Sequence, residues 1–349
     1  MLSRGSAPPV QSRHRGSVVA SHLERKYGPV KTPKLLLLAA LICLASLPAM
    51  AQLNDTYVIT ASGNSRGAFG THWMTRFTIF NPHLDSTLNV SVSFLPTGGA
   101  PGPEKLIELP PNSIAFSDNI LDDLYGIEGS GSLLVATFAD DNPDLPDDVL
   151  SRSFLVTTDT FNNTPNGTYG QTIPGVWAGL LDYDSDGISS IAPSVRHGNG
   201  WRTNVGAVNL GSCAVNLLVS VFDADGNTIL SEAPLPIPPY GHNQEPLPVP
   251  VEVGSVEFAV ADPCAADDVR YAVVFPYTST IDNRTGDPTY LTPTLLAEPG
   301  ILFAKGQKID PTSLGKKIDS TYARKVRNHA VRTGTANLKR EAAGWRITQ

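Results

Sequence analysis

Trp73-Met74-Thr75-Arg76-Phe77-Thr78-Ile79-Phe80-Asn81 and Trp201-Arg202-Thr203-Asn204-Val205-Gly206-Ala207-Val208-Asn209 carry Trp, Thr and Asn at the same three places, 128 residues apart. Between positions 76 and 80 apolar and polar residues alternate, the period of a strand with one buried face. Outward from this pair the correspondence continues. Phe94 matches Phe222, Gly98 matches Gly226, and Leu109-Pro110-Pro111 matches Ile237-Pro238-Pro239. The offset then drifts as loop lengths change: Gly131-Ser132-Leu133 corresponds to Gly254-Ser255-Val256, and residues 161–169 correspond to residues 281–290. The body therefore reads as two copies of one domain, residues 55–178 and 191–304, joined by an acidic linker at 179–190.

Both copies read as strands. Residues 90–94 alternate with period two, whereas residues 218–222 are apolar on both faces, the pattern of a more central strand. Asp223-Ala224-Asp225-Gly226-Asn227 is a hairpin turn. Further strands are expected at 132–138, 153–158, 256–260 and 271–276. One short helix fits residues 119–125, stopped by Gly126, while Pro246, Pro248 and Pro250 forbid its counterpart in the second copy. Many short strands with frequent turn signals predict an all-β chain of two tandem antiparallel β-sandwiches, with a barrel as the next choice. Trp73 and Trp201, at equivalent strand starts, are expected as core plugs rather than as sugar-stacking platforms.

The charge is divided into three. Residues 1–51 hold seven Lys/Arg and one acid, residues 305–349 hold eleven and three, and the 253 residues between them hold eight Lys/Arg against 29 acids. An acidic centre repels phosphate backbones, which argues against nucleic acid as a partner. Residues 1–51 read as a basic region and signal peptide. Lys31 and Lys34 precede an apolar run at 35–47, and Ala49-Met50-Ala51 offers cleavage after Ala51. The long basic stretch before the run also admits translation starting near Val30. The run is short for a membrane span, and no second one follows Gln52, so the mature chain is expected without an integral membrane segment and secreted or held at the cell surface. An exported chain with Cys213 and Cys264 as the two remaining cysteines suggests a disulfide between them, two buried thiols being the other reading. Residues 305–349 read as a basic disordered arm, with a helix admissible over 320–330.

Val205-Gly206-Ala207-Val208-Asn209-Leu210-Gly211, followed by Val219-Ser220-Val221-Phe222-Asp223-Ala224-Asp225-Gly226, resembles the immunoglobulin-like adhesion modules of exported bacterial proteins. Residues 281–290 look like a segment of uncharacterised tandem-repeat secreted proteins of environmental bacteria. The first copy departs from the pattern, with Pro82-His83 after Asn81 and Asn166-Gly167 in place of Thr-Gly-Asp. The resemblance implies an immunoglobulin-like fold and an extracellular setting, and it implies no catalytic residues.

Asp182-Tyr183-Asp184-Ser185-Asp186-Gly187 is the sharpest chemical signal. Carboxylates at alternate positions before a Gly match the first half of a calcium loop, so Asp182, Asp184 and Asp186 are candidate Ca²⁺ ligands that would stiffen the junction. Pro193 stands where the closing Glu belongs, which favours a solvated linker. Asp140, Asp141, Asp144, Asp147 and Asp148 form a second acidic cluster, read as a solubilising loop. Gly63-Asn64-Ser65-Arg66-Gly67 matches G-x-S-x-G but lacks the helix that a nucleophile elbow needs. His72, His83, His197 and His242 lack metal-ligand spacing. The expected function is an exported structural or adhesive module without catalysis, its partner an extracellular protein or polysaccharide. A carbohydrate-binding module, in a Ca²⁺-dependent form or not, is the alternative, and a secreted hydrolase the third reading.

Overall fold

The computed structural model describes residues 54–67, 70–164, 167–177, 183–184, 189–261, 271–272, 274–296 and 320–349. Strands dominate, as the alternation predicts. The first group is β1 (Thr56–Arg66), β2 (His72–Asn81), β3 (Leu88–Pro96), β4 (Pro103–Leu109), β5 (Ser113–Ser117), β6 (Gly129–Thr137), β7 (Leu155–Thr164), β8 (Gly167–Pro174) and β9 (Val176–Trp177). The second is β10 (Tyr183–Asp184), β11 (Ser189–His197), β12 (Trp201–Asn209), β13 (Val215–Asp223), β14 (Thr228–Ile237), β15 (Gly241–Pro246), β16 (Val251–Ala261), β17 (Tyr271–Ala272), β18 (Val274–Asp282), β19 (Pro288–Leu291) and β20 (Thr294–Leu296). Helix α1 (Ser320–His329) and strands β21 (Val331–Thr335), β22 (Asn337–Glu341) and β23 (Gly344–Thr348) follow.

The two strand groups share a pairing order. The second group forms one array in the order β14-β13-β16-β11-β20 and another in the order β15-β12-β18-β19. The first group has the same two orders, β4-β3-β6-β1-β9 and β5-β2-β7-β8, and every pair is antiparallel. Here a short pairing of Asn64–Arg66 with His72–Met74 joins the two arrays into one continuous sheet. The first core cluster draws on both arrays, with Ile59, Val90, Val92 and Phe94 from one and Phe77 and Ile79 from the other. The second does likewise, with Val219 and Val221 from one array and Val205 and Val274 from the other.

The constant offset of 128 fails on one strand. Phe94 is buried and its counterpart by core position is Val221, not Phe222, which is half-buried on the other face. The link from Asn81 to β3 is one residue longer than the link from Asn209 to β13, and a shift of one residue on a strand exchanges its faces. The expected helix is a single turn, Leu121–Tyr125, ended by Gly126 at φ 67. Its Leu121 and Leu124 are buried, and the proline-rich stretch between β15 and β16 holds no helix.

Trp73 and Trp201 are not core plugs: both are half-buried. They share the inward face of their strands with buried Thr75 and Phe77, and with buried Thr203 and Val205. They stand at the strand start, beyond the last core layer, so the rings close the rim. The guanidinium of Arg196 covers Trp201 at 5.2 Å.

Residues 320–349 correct the expectation of a disordered arm. β21 pairs parallel with β4, β23 pairs parallel with β5, and Ala336 and Ile347 belong to the first core. The sequence shows the charge of this segment, whereas its buried apolar residues are too sparse to form a recognisable period.

Candidate functional site

The two strand groups meet over a mixed apolar and polar surface. Val58, Leu95, Leu134 and Phe138 of the first pack with Val208, Leu210, Tyr240 and Phe275 of the second, and Val326 of α1 joins them. Beside this cluster lies a polar chain. The His242 ring, 1% exposed, stands 2.9 Å from the Thr97 hydroxyl at Nδ1 and 2.9 Å from the Tyr277 hydroxyl at Nε2. Tyr277 donates to Gln244 Oε1 at 2.9 Å and stacks on Tyr290, whose hydroxyl bonds Thr60 across the junction. Burial pulls the His242 pKa down to about 3, so the ring is neutral. Burial, with the charge of Tyr290 second, drives the Tyr277 phenol well above its ordinary value.

At the end of this chain opens a cleft of about 120 Å³ between the groups. Trp73 of β2, Gln171 of β8, Asn204 of β12 and Gln244 of β15 line it together with Tyr277. Hydroxyls of Ser62, Ser65, Ser130, Thr160 and Ser279, with Ala61, Gly63 and Ile281, complete the wall, and no carboxylate, amine or imidazole is among its lining residues. Gln171 Nε2 donates to Ser279 Oγ at 3.0 Å, tying the two groups across the opening. An amide- and hydroxyl-lined cleft with one indole suits a neutral, hydrogen-bonding ligand rather than an ion. Of this set the sequence singles out Trp73 and, through the G-x-S-x-G match, Gly63 and Ser65. The rest converge from separate strands of both groups, and no local spacing announces them.

The motif residues that the sequence singles out are engaged by the fold itself. Asn81 Nδ2 donates to the carbonyls of Ser86, Leu109 and Pro110, and its Oδ1 accepts from His83 N. Asn209 Nδ2 donates to those of Cys213 and Pro238, and its Oδ1 accepts from Gly211 N. Thr75 meets Thr160 at 2.9 Å, and Thr203 meets Thr280 at 2.8 Å. The repeated Trp-x-Thr…Asn pattern thus ties neighbouring strands and the loop after each second strand, because buried polar groups must be paired.

Asp182 and Asp186 lie outside the described residues, and Asp184 is placed only as part of β10, which pairs with β17. Among the described residues no group of three His, Cys, Asp or Glu is placed to hold a metal ion. Cys213 is disulfide-bonded, while Cys264 lies outside the described residues. In the second acidic cluster Asp141 pairs with Arg327 and Arg332, Asp147 with Arg152, and Asp148 accepts from Ser151. Gly63 through Arg66 lie on β1, so no strand–turn–helix presents Ser65. His72 Nε2 meets Asn64 Oδ1 at 3.1 Å, His83 Nε2 meets the Ser153 carbonyl at 3.0 Å, and His197 Nδ1 accepts from Thr203 N at 3.0 Å. No helix among the described residues is long and apolar enough to cross a membrane.

No protein-family model matches the chain, and no curated protein matches it.

Proposed function

We propose that the chain is an exported binding module of two tandem immunoglobulin-like β-sandwiches, secreted or held at the cell surface after cleavage following Ala51, and without catalytic activity. The repeated pairing order, with each core drawn from both arrays, supports the tandem sandwich. The observation that carries the functional reading is the engagement of Thr75, Thr203, Asn81 and Asn209 in backbone ties and strand-to-strand contacts. The repeat is built for a rigid scaffold, and its loops and edges are what remain for a partner. The role is structural or adhesive, toward an extracellular protein or polysaccharide.

The cleft favours a second reading, a carbohydrate-binding module. Its indole, amides and hydroxyls match the apolar face and hydroxyl rim of a sugar. The same experiment addresses both. Labelled mature protein is incubated with cellulose, with chitin and with intact cells of the source organism. Retention on cells that is lost after protease treatment of their surface supports the adhesive reading. Retention on polysaccharide that is lost in Trp73→Ala but kept in Trp201→Ala supports the cleft. Retention on none contradicts a binding module, and covalent labelling of Ser65 by a serine-hydrolase probe contradicts a role without catalysis.

A further inference from the structure

Residues 320–349 hold seven Lys/Arg and one acid, and they extend both arrays of the first strand group at the same side. The ladders are short: Val331, Arg332 and Thr335 pair along β4, and Trp345 and Arg346 pair along β5. Charge carries much of the docking. Glu104, 1% exposed, has Arg327 Nε at 3.4 Å and Arg332 Nε at 3.5 Å from its carboxylate. Asp141 has Arg327 at 2.8 Å and Arg332 at 2.7 Å. Arg346 reaches Asp118 at 3.0 Å, and Arg327 also covers the Phe138 ring at 4.5 Å. Val326, Ala336 and Ile347 are buried. The side of β4 and β5 is thus a seat that is complementary to this segment in backbone, charge and shape.

Among the described residues the second strand group offers no such seat. Its counterpart of β4 is β14, which carries Pro234 and Pro236. Proline has no N–H to give an added strand and is a usual guard of an exposed edge. The same edge is thus protected by proline in one group and by an added segment in the other. Residues 297–319 connect β20 to α1, and these 23 residues can reach about 75 Å when extended.

We propose that the seat beside β4 and β5 takes residues 320–349 of a second copy of this chain, so that the protein self-associates by reciprocal exchange of this segment. Every contact made within the chain is then remade between chains, and the exchanged form gains with concentration. Sub-denaturing urea, which weakens the short ladders and the apolar contacts of the seat, speeds the release that exchange requires.

The test uses full-length mature protein and light scattering. One variant, Glu104→Gln with Asp141→Arg, alters the seat, and another, Arg327→Glu with Arg332→Glu, alters the segment. Each alone stays at the mass of one chain, with a segment that protease removes. Their mixture moves to the mass of two chains, and the four substitutions in one chain restore a protease-resistant single chain. A mixture that stays at one-chain mass while the fourfold variant is folded overturns the proposal. The wild type provides an independent check. Held at high concentration in sub-denaturing urea and returned to buffer, it is expected to show at least a tenfold rise in two-chain mass. An unchanged single-chain mass overturns the proposal irrespective of how the variants fold.

Discussion

Single residues already distinguish scaffold from site. Asn81 and Asn209, both fully buried, each satisfy several backbone groups of the loop that follows and of a neighbouring strand end. Asn81→Ala removes the acceptor of the His83 amide and a donor to the carbonyls of Ser86, Leu109 and Pro110, the last of which keeps Ser113 Oγ, a loss of about 2–3 kcal/mol that urea denaturation measures. Asn209→Ala is expected to cost a similar amount, since its bonds repeat those of Asn81. The buried His242 makes stability depend on pH. With its folded pKa down to about 3 and an unfolded value near 6.5, the unfolded chain binds a proton that the folded chain refuses between these limits. This ring therefore withdraws stability progressively as pH falls from about 6.5 towards 3, by on the order of a few kcal/mol. His242→Gln is expected to flatten that part of the curve, read as midpoint denaturant concentration against pH, at a cost at neutral pH for the altered bonds to Thr97 and Tyr277. An unchanged curve would show that the ring can take up its proton without loss.

At the scale of elements, close strand approach explains a glycine that both copies keep. A Cβ built on Gly131 of β6 would stand 2.2 Å from the Leu95 carbonyl oxygen, and one on Gly254 of β16 would stand 2.1 Å from that of Phe222. Gly131→Ala and Gly254→Ala are each expected to cost about 1–3 kcal/mol or more, because backbone rather than a flexible side chain must yield. Gly98→Ala, at φ 69 with nothing near its added Cβ, carries backbone strain alone and should cost about 1 kcal/mol. Equal losses at the three positions, measured by thermal unfolding, would refute this ranking. Strand periods and repeated turns were legible because they are local. The face of β3 relative to β13 was misread because a one-residue loop difference cannot be seen between similar apolar runs. Residues 320–349 were legible in charge alone: the pairings of β21 and β23 with β4 and β5 join positions more than 200 residues apart, and parallel pairing leaves no turn signal.

For the whole molecule, the two strand groups and the segment after them are expected to behave as one body. The cluster of Val58, Phe138, Val208, Phe275 and Val326 and the chain from Thr97 through His242 to Gln244 cross the junction, and Ala51–Gln349 forms a single compact unit. The sequence suggested two similar strand groups but not this union, because the residues that join them look like ordinary strand positions. The cleft was illegible for the same reason, being made only when the copies meet. A polar substitution on the junction should uncouple them: Phe275→Asp places an unpaired carboxylate in the apolar cluster and is expected to split the unfolding profile, by a loss of about 3–5 kcal/mol. The most direct measurement is scanning calorimetry of the wild-type mature chain. One transition with equal calorimetric and van't Hoff enthalpies is expected. Two separated transitions, each with the enthalpy of half the body, would contradict the account.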